Sequence, residues 1–124
     1  MGKGKSLLHR LTASAENLDA AELQEVVERR ACCPVQELRK GESVEVVGRL
    51  KSVVYTPSET VPTLEAQLFD GSDSLLLVWL GRRRIAGIEP GRRVAARGRV
   101  GLHNGRLAIY NPYYELLTPA TAPA

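Results

Sequence analysis

The sequence predicts a mainly β protein, a small five-stranded barrel preceded by one α-helix. Three observations carry this. From Glu42 onward apolar residues recur with a period of two, the spacing of a half-buried strand. Two tight-turn sequences, Asp70-Gly71-Ser72-Asp73 and His103-Asn104-Gly105, each join a pair of such runs. The clearest helical signals lie before Pro34, a residue that ends helices.

Residues 1–13 read as a flexible basic leader with no periodic apolar face. A helix is expected over about residues 20–31. Asp19 is its N-cap, Glu22 the capping-box partner three residues on, and Leu18 and Leu23 a hydrophobic staple. Leu23, Val26 and Val27 give it a narrow apolar stripe, and Arg29 and Arg30 suit its C-terminal dipole.

The strands follow. Ser43–Tyr55 is a long Val-rich run in which Gly48 permits the sharp bend that a small barrel needs. Thr56–Pro62 is a loop. Thr63–Phe69 and Ser74–Leu80 form a hairpin across the Asp70–Asp73 turn. Gly81–Gly91 is a longer connection, with room for one helical turn. Arg93–Leu102 and Arg106–Leu117 form a second hairpin across the Asn-Gly turn, the last strand broken at Pro112. Residues 118–124, small and Pro-containing, read as a disordered tail, leaving one domain over 14–117. A long bent first strand, two hairpins and a longer connection between strands 3 and 4 fit the OB-fold, a five-stranded Greek-key barrel. The length of the first strand and the 3–4 insertion argue against an SH3-like barrel.

Composition narrows the function. With 124 residues, 44% hydrophobic and 25% charged, the chain is ordinary globular material. No apolar run approaches the ~20 residues of a membrane span, and no signal peptide is visible, so a cytoplasmic location is the default. Cys32 and Cys33 are adjacent and lack a second pair or a suitably spaced His, so reduced thiols rather than a zinc site are expected. No metal or other cofactor is indicated. His103 sits in a turn without a nucleophile and the acids show no paired-carboxylate arrangement, so no enzyme is expected.

The net charge of +3 conceals an asymmetry. Residues 14–45 hold eight acids against four bases, whereas residues 82–106 hold eight arginines against the single acid Glu89. Clustered cations of this kind suit either a polyanionic partner or a solvated face.

The runs Val44-Glu45-Val46-Val47-Gly48-Arg49-Leu50 and Leu68-Phe69-Asp70-Gly71-Ser72-Asp73-Ser74-Leu75, with Leu77-Val78-Trp79-Leu80, resemble nucleic-acid-binding OB domains of the tRNA-anticodon and helicase types. Together with Ile88–Val100 and the ending Asn111-Pro112-Tyr113-Tyr114-Glu115-Leu116-Leu117, the order is most similar to the wedge domain of RecG-type branched-DNA helicases, here as a stand-alone protein. The resemblance covers roughly residues 40–117. It implies binding of single-stranded or branched nucleic acid, DNA ahead of RNA, in a DNA repair or replication setting. The sequence has no Gly-x-x-x-x-Gly-Lys-Ser/Thr phosphate loop, so ATP-driven unwinding is not expected of it.

OB domains bind single strands on the face of strands 2 and 3, between the 1–2 and 4–5 loops, using cations for phosphates and rings for bases. Candidate cations are Arg49 and Lys51 on strand 1, Arg97 and Arg99 on the neighbouring strand 4, Arg82, Arg83 and Arg84 after strand 3, and Arg106 beside the Asn-Gly turn. The first four are expected to form one stripe. By strand parity Phe69 points away from the core, a candidate stacking platform beside Tyr55 and Tyr110. Trp79 reads as core before contact, and Pro112-Tyr113-Tyr114 as shaping the strand's exit. Backbone-tracking binding with little sequence preference follows, since arginine forks suit phosphate.

The alternative is a protein-interaction or oligomerisation module. Leu76, Val78 and Leu80 make strand 3 apolar on its second face too, to be covered either by the helix stripe or by a partner or second copy.

Overall fold

The computed structural model describes residues 6–30 and 32–117, with side chains from Leu18 onward. Helix α1 runs Ser6–Arg29, beginning well ahead of the expected start. Residues 1–5 of the expected leader and the tail 118–124 lie outside the described residues. Residues 6–13 do not form a leader but the first turns of α1, a stretch with no Gly or Pro to interrupt a helix. Asp19 is therefore mid-helix and caps nothing, and Leu18 is 67% exposed rather than stapled to Leu23. The spacing of three that defines a capping box also places two residues on one helix face. Asp19 and Glu22 use it that way, reaching Arg49 and Arg93 on the barrel.

After α1 the chain makes a 3₁₀ turn, Val35–Glu37, which buries Val35 and leads to the buried Leu38. Asp70, itself 1% exposed, anchors this turn. Its Oδ2 accepts from the Val35 N–H at 2.7 Å. Its Oδ1 accepts from the Ser72 N–H at 2.8 Å, the Ser72 hydroxyl at 2.7 Å and the Asp73 N–H at 3.1 Å. One carboxylate thus shapes the turn between two strands and pins the segment that follows the helix.

The described residues form six strands: β1 Ser43–Thr56, β2 Thr63–Phe69, β3 Ser74–Leu80, β4 Arg93–His103, β5 Arg106–Tyr110 and β6 Tyr113–Leu117. The pairing β1-β2-β3-β5-β4 closes through β1–β4 into a five-stranded ring, with β3 and β5 parallel and the other pairs antiparallel. This is the expected OB barrel. The long β1 pairs with β4 over residues 43–49 and with β2 over 49–56. The exchange occurs at a bulge between Leu50 and Ser52. Just before it, a Cβ on Gly48 would run into the Phe69 carbonyl and the Leu68 side chain, so only glycine permits the close approach.

The expected last strand divides at Asn111-Pro112. Asn111 has φ +48° and Pro112 has no N–H to donate, so the chain turns and β6 pairs with β4 alone. The 3–4 connection holds no helix. It crosses the barrel end with Ile85 and Ile88 buried and the Ile88 N–H donating to the Ile85 carbonyl. The His103–Arg106 hairpin has Asn104 at φ +54° and Gly105 at +81°, as the Asn-Gly signal requires.

Inward residues such as Val46, Leu50, Leu64, Leu68, Leu77 and Ile109 fill the barrel, and Trp79 joins them at 4% exposure. The helix stripe does not cover β3. Val27 packs with Cys32, Val47 and Ala95, over β1 and β4. Leu76 and Val78 are instead buried with Ala108, while Leu80 remains 41% exposed. Glu65 and Tyr110 flank Val78 across the sheet, and His103 Nε2 lies 2.9 Å from Glu65 Oε2, so the β4–β5 hairpin folds over this face.

Replacing Asp70 with Ala strips the Val35 N–H of its acceptor in a buried setting and frees the β2–β3 turn. The Asp70→Ala protein is expected to lose about 2–3 kcal/mol of stability, read as a lower midpoint in urea denaturation at unchanged m-value.

Candidate nucleic-acid interface

The outward residues of β2 and β3 include no lysine or arginine. They are Thr63, Glu65, Gln67 and Phe69 on β2 and Ser74, Leu76, Val78 and Leu80 on β3. The cations lie around this face instead. Arg82, Arg83 and Arg84 leave the end of β3, Lys51 stands at the β1 bulge, Arg97 and Arg99 lie on β4, and Arg106 begins β5. All of these are exposed. Among the described residues none of them has a carboxylate within 4 Å, whereas Arg30, Arg49 and Arg93 do.

The expected stripe of Arg49, Lys51, Arg97 and Arg99 is therefore interrupted. β1 and β4 do pair, and Arg49 faces Arg93, Glu45 faces Arg97 and Ser43 faces Arg99. But α1 lies across the middle of this surface on Val47 and Ala95. Arg49 Nη2 and Nε donate to Asp19 Oδ2 at 2.6 and 2.9 Å, and Arg93 Nη2 donates to Glu22 Oε1 at 3.2 Å. These two arginines hold the helix, leaving Lys51 on one side of it and Arg97 and Arg99 on the other.

The rings sit with the cations. Lys51 Nζ lies 4.8 Å from the centre of the Phe69 ring, Arg83 Cζ 5.5 Å from Tyr55, and Arg97 Cζ 5.7 Å from Tyr113. Phe69 and Tyr55 thus lie beside exposed cations, and Tyr55 also packs against the core. Tyr110 is tied differently: its hydroxyl donates to the Leu102 carbonyl at 2.9 Å and lies 2.8 Å from His103 Nδ1. That bond braces the hairpin and engages the hydroxyl within it. Trp79 is core, meeting the Tyr114 ring edge-on at 5.9 Å.

Sequence reasoning missed two residues. Tyr113 is 75% exposed, the most open ring of the described domain, and the strand parity of Tyr113-Tyr114 was the signal available for it. Arg92 is exposed beside the β1 bend, its carbonyl accepting from the Leu50 N–H at 2.9 Å.

A family model, the RecG wedge domain, matches residues 23–122. The chain belongs to the RecG wedge domain family. Among solved structures, it is similar to RecG bound to a three-way DNA junction, at 23% identity and a TM-score of 0.58. That match covers 72% of this chain and 13% of the other, so this wedge domain spans about an eighth of the length of the protein it resembles. No curated protein sequence matches the chain. Among the described residues no helix is long and apolar enough to cross a membrane, and no group of three or more His, Cys, Asp or Glu is placed to hold a metal ion.

The two cysteines of this wedge domain are free and differ sharply: Cys32 is buried and Cys33 exposed. Burial, assisted by nearby Glu45, pushes the Cys32 thiol above the usual thiol range. At mildly alkaline pH a thiol-specific chromogenic reagent is expected to label Cys33 rapidly in the native protein. Cys32 should react only after denaturation, and a Cys33→Ser variant should show no fast phase.

Proposed function

We propose that this wedge domain is a non-catalytic nucleic-acid-binding module that grips DNA through its phosphate backbone with little regard to sequence. Exposed arginines without carboxylate partners among the described residues, beside rings, carry this reading. A guanidinium fork matches phosphate bidentately, and a ring offers any base a stacking surface. The cations sit at the 3–4 connection, the β1 bulge, β4 and the β4–β5 hairpin, and so surround the barrel face rather than lie on it. The contacts available are therefore with backbone and unpaired bases, and Arg82, Arg83, Arg84, Arg97, Arg99, Arg106 and Lys51 make the phosphate contacts. Phe69 and Tyr55 supply stacking surface next to them.

Branched DNA is the substrate to try first, because the similar solved structure is of RecG on a three-way junction. No phosphate loop is present in the sequence, so on this reading the domain holds or separates strands and any ATP-driven motor is supplied elsewhere. A place in DNA repair or replication, in the cytoplasm, is part of the same proposal.

Fluorescence anisotropy with single-stranded, duplex and three-way-junction DNA, each at low and high salt, tests it. Binding is expected to weaken steeply with salt. Replacing Arg82, Arg83 and Arg84 together with Ala should lower affinity at least tenfold and reduce the slope of log K against log salt by about 2 to 3. Circular dichroism should be unchanged, since all three side chains are exposed. Failure of the wild-type protein to bind any of the three at low salt overturns the proposal.

A further inference from the structure

The row of outward residues across β1, β4 and β6 reads Glu45, Arg97, Tyr113. One step along β4 the next outward pair is Ser43 and Arg99. With Cys33 at the margin these residues line an open groove of about 470 Å³. Its floor is backbone and short side chains, because Gly98 faces inward, where Ile109 leaves no room for a Cβ. The Tyr113 ring stands in the open at 75% exposure with the Arg97 guanidinium over it.

One carboxylate, Glu45, lines the groove, and it is already engaged together with Glu115, which lies outside it. Arg30, projecting from the end of α1, places Nη2 3.5 Å from Glu45 Oε2 and 3.3 Å from Glu115 Oε1. Arg97 and Arg99 have no carboxylate within 4 Å among the described residues. Arg30 therefore draws both acids of this edge towards the helix end and offsets one of their two charges, while Arg97 and Arg99 stand beside an unburied ring. Arg97 and Arg99 are two residues apart on one strand, roughly 7 Å, a separation comparable to neighbouring phosphates of an extended single strand.

We propose that this groove on the β4–β6 edge is a binding subsite for one unpaired nucleotide, Tyr113 stacking the base and Arg97 and Arg99 holding the phosphates on either side of it. The inference rests on the reading of the domain as a nucleic-acid binder and adds where a single strand is held. The subsite lies on the far side of α1 from Lys51 and Phe69, away from the β2–β3 face by which OB domains ordinarily take single strands.

The test uses the whole chain and an unlabelled or fluorescein-labelled poly-dT oligonucleotide, compared with blunt duplex. Tyr113→Ala should weaken single-strand binding about 5- to 100-fold, the range expected for one lost base stack, and leave duplex affinity unchanged. Tyr113→Phe should bind like the wild type, because the ring and not the hydroxyl is used. In Tyr113→Trp the new indole should be quenched on adding oligonucleotide, a signal separable from buried Trp79. Equal single-strand affinity of wild type and Tyr113→Ala, or an unquenched indole at saturating oligonucleotide, overturns the subsite while leaving the nucleic-acid reading intact. Absence of wild-type binding to single strand, duplex and three-way junction alike overturns both.

Discussion

A ring of short strands closes only if one strand is long and coiled enough to pair with a neighbour on each side, and the twist that closure demands concentrates in that strand. Here β1 carries it, hydrogen-bonded to β4 along its first half and to β2 along its second. The exchange of partners falls within four residues, Gly48 to Lys51. Gly48 admits the backbone of Phe69, and the bulge at Lys51 shifts the register. The same bend ties down the crossing between β3 and β4, since Leu50 exchanges bonds with it: its N–H donates to Arg92 and its carbonyl accepts from Gly91 at 2.7 Å. Ile85 and Ile88 can then close the barrel end, and Arg92 and Lys51 are brought side by side at its rim. A side chain at Gly48 would disturb all of these at once, because they share one stretch of backbone.

Helix α1 is held by a short apolar seam and by charge arranged along its axis. Acids come first, Asp19 and Glu22 against Arg49 and Arg93, and the base comes last, Arg30 against Glu45 and Glu115. Each pair is half-exposed and contributes little by itself, about a kcal/mol or less. Their order matters more than their sum. Reversing the helix would set acid against acid and base against base, so the pattern favours the observed orientation over its reverse. Helix docking also divides the barrel's cations into those that hold the helix and those that face solvent.

The strands were legible because period two, Asn-Gly and Asp-Gly act locally, and β2 and β3 fall where alternation and turns place them. Three features depend on contacts distant in sequence and were not legible. Asp19 and Glu22 carry the spacing of a helix start, and only the presence of Arg49 and Arg93 opposite shows that they mark a helix face. The apolar second face of β3 resembles a docking site for the helix, yet the β4–β5 hairpin reaches it through His103 and Glu65. The arginines of β1 and β4 were correctly paired by topology, but charge counting treats every arginine as equally available, and Arg49 is not. Tyr113 and Tyr114 differ only in parity: one ring meets Trp79 and the other meets solvent.

The three ring–cation couples raise a question of competition, since a ring already covered by a cation is not an empty platform. At exposed positions such a couple contributes about 0.5–1 kcal/mol, whereas a stacked base contributes about 1–3 kcal/mol. On the proposed reading, a base therefore displaces the cation from the ring. The displaced group would be Lys51, Arg83 or Arg97, each within about 6 Å of its ring, and on that reading it is left free for the phosphate of the incoming nucleotide. On the proposed reading, the same couple separates into a stacking contact and a phosphate contact, and neither depends on which base is bound.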